Sequence, residues 1–199
     1  MSELTQLPPD ADAPDEVMWQ GKFITARTRG RWEYVSRARG IRAAVILAVD
    51  AEDHVILVDQ YRVPLGKRCI ELPAGLVGDH EDVADEAASV AAARELEEET
   101  GYHAGRMEDL GEFYSSPGMV SESFTLFRAH DLAKVGEGGG VDSENIVVHR
   151  VPLADIAHRI AQWRQAGYAI DVKLLLLLGA AMLGQHTPGQ HTPGKHIPG

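Results

Sequence analysis

Four carboxylates, Glu95, Glu97, Glu98 and Glu99, fall within five residues near the middle of this chain. The stretch from about Asp85 to Glu99 is rich in Ala, Glu and Leu with no Gly or Pro inside, which predicts a helix. Offsets of three and four residues turn by about −60° and +40°, so Glu95, Glu98 and Glu99 share one face. Glu97 lies roughly 200° from Glu95 and faces elsewhere. Such a face opposes itself. Like charges at these offsets cost about 0.2–0.5 kcal/mol, and the macrodipole disfavours each anion at a helix C-terminus by roughly 0.3–1 kcal/mol. A hard divalent cation would relieve both, because Mg²⁺ takes a few carboxylate oxygens and completes its shell with water and substrate phosphate. A solvated acidic helix end is the plainer reading of ELEEE alone, and the flanking residues decide between the two.

Those flanks are specific. Gly101 follows the last turn, where a left-handed residue usually closes a helix. Arg94 opens the segment RELEEETGY, and seven residues separate it from Glu86. This pattern resembles the Nudix box: Gly, five residues, Glu, seven residues, then Arg-Glu-apolar-x-Glu-Glu-x-Gly and an apolar residue. Tyr102 takes the last position. The departure is upstream, where ten residues rather than five separate Gly75 from Glu86, an insertion in the loop around Gly78–Asp85. On these residues the chain is identified as a member of the Nudix hydrolase family. The resemblance implies a Nudix fold, a mixed sheet sandwiched between helices. It implies hydrolysis of a phosphoanhydride with Mg²⁺, or Mn²⁺ as a substitute. By position it assigns the metal to Glu95, Glu98, Glu99 and the backbone carbonyl of Ala74. Arg94 would hold the box together through Glu86, with Gly75 and Gly101 as further structural positions.

Outside the box, WEYVSR (Trp32–Arg37) carries aromatic residues and an Arg that would suit an adenine ring and a phosphate, though a solvated strand face explains them too. Together with QYR, CIELPAG, Pro117 (sixteen residues after Gly101) and SENIVV (Ser143–Val148), this segment resembles the ADP-ribose pyrophosphatase branch from about Trp32 to Leu153. That resemblance implies Trp32 on adenine, Arg37 and Arg62 on the diphosphate, and Glu71 on a polar edge of the ligand. It makes Glu144 the general base or an extra metal ligand, with Glu98 or Asp142 as the other carboxylates that could serve as base. The products would be AMP and ribose 5-phosphate. The branch also implies a homodimer sharing its N-terminal region, so that Trp32 serves the partner's site. Another nucleotide sugar such as GDP-mannose, or a non-catalytic nucleotide-binding Nudix module, are the competing readings. The complete set of box glutamates argues against the last.

The remaining elements must position these groups. With 44% apolar residues the chain can build a sizeable core, and 199 residues suggest one domain with a small N-terminal β appendage. The boundaries read as a disordered lead-in at 1–16, an N-terminal β segment at 17–41, a catalytic domain at 42–183 and a low-complexity, disordered tail at 184–199. Arg42–Val49 and Val55–Tyr61 are β-branched runs around the turn-prone DAED, a hairpin signal. Pro73-Ala74-Gly75 reads as a tight bend. Met107–Tyr114, Ser123–His130 and Ile146–Val151 read as strands, and Leu153–Ala166 and Val172–Leu183 as helices, the second capped by Asp171. Strands interleaved with few helices make an α/β (α+β) fold. A net charge of −11 argues against nucleic-acid binding, and the longest apolar run, Leu174–Leu183, is too short to span a bilayer. A single cysteine, Cys69, and no visible leader fit a cytoplasmic protein.

Overall fold

The computed structural model describes residues 7–38, 42–77, 88–140 and 144–182. Glu86, Asp142, the insertion loop at Gly78–Asp85 and the His-Pro-Gly tail lie outside the described residues.

Three sheets carry the chain. The N-terminal one is an antiparallel meander of β1 (Asp15–Gln20), β2 (Ile24–Arg29) and β3 (Trp32–Arg37). It begins inside the stretch expected to be a lead-in, where Asp15 reaches Arg27 at 3.2 Å. Its β3 edge is tied to the loop at 115–122: the Val35 N–H donates to Met119, and Ser121 donates back to Val35, both at 3.0 Å.

The second sheet has the order β7–β4–β9–β8, formed by Ala74–Val77, Arg42–Ala48, Ser123–Lys134 and Tyr102–Tyr114. The third has the order β10–β5–β6–β11, formed by Val147–Pro152, His54–Arg62, Lys67–Glu71 and Ala169–Ile170. Both are mixed, with β4 parallel to β9 and β6 parallel to β11. Two local expectations change here. β4 and β5 are not a hairpin: beyond one bridge, Val49 to Val55, they diverge into different sheets. Both strands are apolar on two faces, so each needs cover on both sides rather than a solvated hairpin face. The Pro73-Ala74-Gly75 bend is the entry to β7, where Ala74 and Gly75 pair with Val45 and Ala44.

Alternation along β4 and β5 divides the core. Ala44, Ile46, Ala48 and Ile56 face α1 (Ala88–Thr100), meeting Ala92 and Leu96. Val45, Val55 and Leu57 face α2 (Ile156–Gln165), meeting Ile156, Ile160 and Trp163. The α2 expectation began earlier, but Leu153–Asp155 is a tighter turn leading into it. α3 (Leu175–Met182) likewise follows a tight turn, and Asp171 caps that turn by accepting from the Lys173 N–H at 2.8 Å. No helix among the described residues is long and apolar enough to cross a membrane.

Candidate active site

The acidic face is built by how α1 packs. Ala92 and Leu96 are buried completely, so the helix lies tight on the strands and its C-terminal turn is held against β7. Gly101 ends it with φ +70°, its N–H donating to the Glu97 carbonyl at 2.8 Å. A side chain there would also strike the Gly136 carbonyl, 2.1 Å from an ideal Cβ.

Glu99 is the buried member, 5% exposed. Its Oε2 accepts the Ala74 N–H at 3.0 Å, which ties the start of β7 to the end of α1. Burial pushes its carboxyl up to about 8 despite that hydrogen bond; Glu95 and Glu144 push the same way and Arg62 opposes them. Glu95 runs over Gly75, where a Cβ would lie 2.0 Å from the Glu95 Cγ. Arg94 lies between the other two glutamates, 3.0 Å from Glu95 and 3.0 Å from Glu98. Its expected partner Glu86 is outside the described residues. As these side chains stand, no three acidic, His or Cys groups among the described residues converge on one ion position. The donor set nevertheless suits a hard cation: three carboxylates on one helix end, one of them buried and repelled by its neighbours.

Gly75→Ala tests this cradle. Its φ lies outside the left-handed region, so the added methyl group strains no backbone and acts by displacing Glu95. We expect a loss on the order of 10²-fold in kcat/KM with the circular-dichroism melting curve preserved.

Around the acidic face opens a cleft of about 980 Å³. It gathers Arg37, Arg62, Glu71, Ala74, Gly75, Arg94, Glu95, Glu98, Glu99 and Glu144 from five elements and a loop. Arg62 and Glu71, expected as separate contacts to a ligand, form a two-point pair with each other at 2.6 and 2.7 Å. Glu71 is 5% exposed, so it orients the guanidinium, and that pairing holds the Arg62 pKa above its ordinary value. Arg37 is likewise paired, with Glu122, a residue that sequence reasoning passed over although it closes the SSPGMVSE loop. Lys173 also lines the cleft; its only sequence signal was proximity to the Asp171 cap. Cys69 lines it too, but burial and the nearby Glu71 push the thiol up to about 12, so it stays protonated.

Trp32 is not in this cleft. It is 55% exposed and lines a separate hollow of about 450 Å³ with Arg27, Arg29, Tyr34 and Pro117. The reason was available in the sequence: Trp32 and Arg37 are five apart on one strand, an odd offset that sends them to opposite faces, roughly 17 Å apart along the chain.

Against known proteins, the family model of the NUDIX domain matches residues 39–170. The chain belongs to the Nudix hydrolase family. This Nudix protein is 40% identical to a Bacillus methanolicus protein named methanol dehydrogenase activator over 105 residues, 53% of this chain and 54% of the other. It is 38% identical to an ADP-ribose pyrophosphatase of Bacillus subtilis (57% and 59% covered) and 37% identical to a GDP-mannose pyrophosphatase of Cronobacter sakazakii (70% and 72% covered). The chain thus spans little more than half the length of the two Bacillus relatives. A crystal structure titled as an ADP compounds hydrolase superposes with a TM-score of 0.63 at 23% identity, covering 86% of this chain and 93% of that one. That likeness establishes the mixed α/β Nudix fold.

Proposed function

We propose that this Nudix hydrolase uses Mg²⁺, or Mn²⁺ in its place, to hydrolyse the diphosphate bond of ADP-ribose or a related nucleoside diphosphate sugar, giving AMP and ribose 5-phosphate. The observation that carries the reading is one cleft in which the glutamate face of α1, Glu144 and two oriented arginines, Arg37 and Arg62, come together. Glu95, Glu98 and Glu99, with the carbonyl of Ala74, would hold the cation. Bound there, it supplies charge neutralisation for the diphosphate and acidifies water. The chain's own groups do the rest. Arg62, its plane set by Glu71, and Arg37, set by Glu122, bind phosphate oxygens and hold the diphosphate across the cleft. Glu144 accepts the proton of the attacking water. Arg94, between Glu95 and Glu98, keeps the carboxylates spaced.

A homodimer accounts for Trp32. In one chain it faces away from the cleft and stands exposed, which suits a ring that stacks on a nucleotide bound by a second copy. Trp32→Ala should then raise the KM for ADP-ribose by the roughly 1–3 kcal/mol of a lost base stack, with kcat little changed. Unchanged KM in steady-state kinetics removes Trp32 from the substrate contacts.

GDP-mannose is the second reading, because the relative named for it is matched over a larger share of both chains than the one named for ADP-ribose. A panel of ADP-ribose, ADP-glucose and GDP-mannose with Mg²⁺, read by chromatography, separates the cases. ADP-ribose turned over best, with AMP as product, supports the first; GDP-mannose turned over far faster selects the second. Binding without turnover of any would make the chain a nucleotide-binding module.

A further inference from the structure

We infer that Arg68 is a positioning residue for Glu144, acting through the backbone of Asn145. The inference rests on the reading of Glu144 as the group that takes the proton from water. Arg68 itself does not line the cleft. It projects from β6, and its Nε donates to the Asp59 carboxylate at 2.6 Å. Its Nη2 donates to the Asp59 carbonyl at 2.8 Å and to the Asn145 carbonyl at 3.0 Å. One planar group therefore ties the Asn145–Ile146 peptide, one residue beyond Glu144, to a fixed point of β5.

That point is firmly held. Asp59 is 3% exposed and pairs with Val147 in the β5–β10 ladder, two residues beyond Asn145. Its other carboxylate oxygen faces His149 Nε2 at 3.7 Å, but burial lowers the His149 pKa, leaving Arg68 as the cation that offsets Asp59. From the opposite side, the glycine run before Glu144 is fastened to α1. The Gly139 and Gly140 N–H groups donate to the carbonyls of Glu99 and Glu98 at 2.8 and 3.1 Å. Glu144 lies against Gly140, where an added Cβ would come within 2.2 Å of its Oε2. The segment is thus pinned to the metal helix on one side and to Arg68 on the other. Asn145 between them has φ +49°, a left-handed conformation that Asn tolerates better than most residues but that needs a partner to hold it. Loss of the Arg68 arm leaves the Asn145–Ile146 peptide with the long bond from its Ile146 N–H to the Gly139 carbonyl at 3.4 Å, and the Glu144 carboxylate shifts as that peptide loosens.

The obvious substitution, Arg68→Ala, would strand the buried charge of Asp59 and confuse fold with function. Arg68→Lys keeps a cation for Asp59 but lacks the rigid fork that also reaches Asn145. With saturating Mg²⁺ and whichever nucleotide sugar the panel turns over, Arg68→Lys should lower kcat by roughly ten- to a hundredfold with KM and melting temperature little changed. Amide hydrogen exchange at Asn145–Val147 should quicken while the rest of the protein is unaffected. In a Glu144→Gln background the same substitution should cost nothing further, because Arg68 acts only through that carboxylate. Wild-type kcat in Arg68→Lys, or the same loss in both backgrounds, overturns the inference. If Glu144→Gln alone keeps full activity, the reading of Glu144 fails separately, and the exchange measurement decides: unchanged protection at Asn145–Val147 shows that Arg68 holds nothing there.

Discussion

Glu99→Gln lowers kcat by at least about a hundredfold, the scale of losing a principal electrostatic contact to the reacting group, while leaving the fold intact. The shape survives because Gln keeps an oxygen that can accept the Ala74 N–H, the hydrogen bond that holds this side chain to β7. Without metal, the same substitution should stabilise the protein. Glu99 sits nearly buried beside Glu95 and Glu144, and its carboxyl is pushed from 4.5 up to about 8. A carboxyl whose folded pKa is raised favours folding while it carries its proton. That contribution is complete below pH 4.5, and stability then falls as pH rises through about 8, where the charge is forced on the folded state. Metal-free wild type should therefore lose melting temperature between pH 5 and 8.5, a loss that Glu99→Gln should largely abolish. Millimolar Mg²⁺ should recover it for wild type by binding the folded state, and do much less for the variant. Thermal scans across pH, with and without Mg²⁺, check all three; a flat metal-free wild-type profile would remove Glu99 as the strained carboxylate.

The box helix was legible because it breaks local rules. Three carboxylates on one face at a helix C-terminus are destabilising, and a feature kept against its local cost points to a ligand. Gly101 was legible for the opposite reason, since only its backbone freedom fits that turn. What escaped the sequence was pairing between distant residues. Arg62 and Glu71 were both visible, but that they bind each other depends on the β5–β6 register, which no local signal specifies. Arg37 needed Glu122, 85 residues away. Pro73-Ala74-Gly75 looked like a bend from composition, and the ladder with β4 overrode that preference. The β4–β5 hairpin failed similarly: the DAED turn is present, with the Asp50 N–H donating to the His54 carbonyl at 2.9 Å and the His54 N–H to the Asp50 carboxylate at 3.0 Å, but two-faced apolar strands are drawn to separate partners. The position of Trp32, away from the cleft of its own chain, is a different case. Its odd offset from Arg37 already placed it on the other face of β3.

Glu144→Gln should reduce kcat by roughly 10²–10⁴-fold, the contribution of a general base, with KM for substrate little affected. Glu144 and Glu98 both line the cleft, one from a loop and one from the helix. Glu98 accepts from Arg94 at 3.0 Å in an i,i+4 pair, a contact that fits a role in shaping the acidic face. Glu144 lines the cleft close enough to Glu99 to help raise its pKa, which puts a loop carboxylate beside the acidic face of α1. The glycines before it, Gly138 to Gly140, all hold positive φ, so the backbone can bring the side chain back over the end of α1. The comparison to run is Glu144→Gln against Glu98→Gln and Asp142→Asn at saturating Mg²⁺ and substrate, with kcat followed across pH. Loss of the base should flatten the acidic limb of the profile as well as lower its height, whereas loss of a metal contact should raise the Mg²⁺ concentration needed to reach saturation. A deep fall confined to Asp142→Asn moves the role two residues upstream. Near-normal rates in both loop variants, with a flattened profile for Glu98→Gln, would place the base on the helix itself.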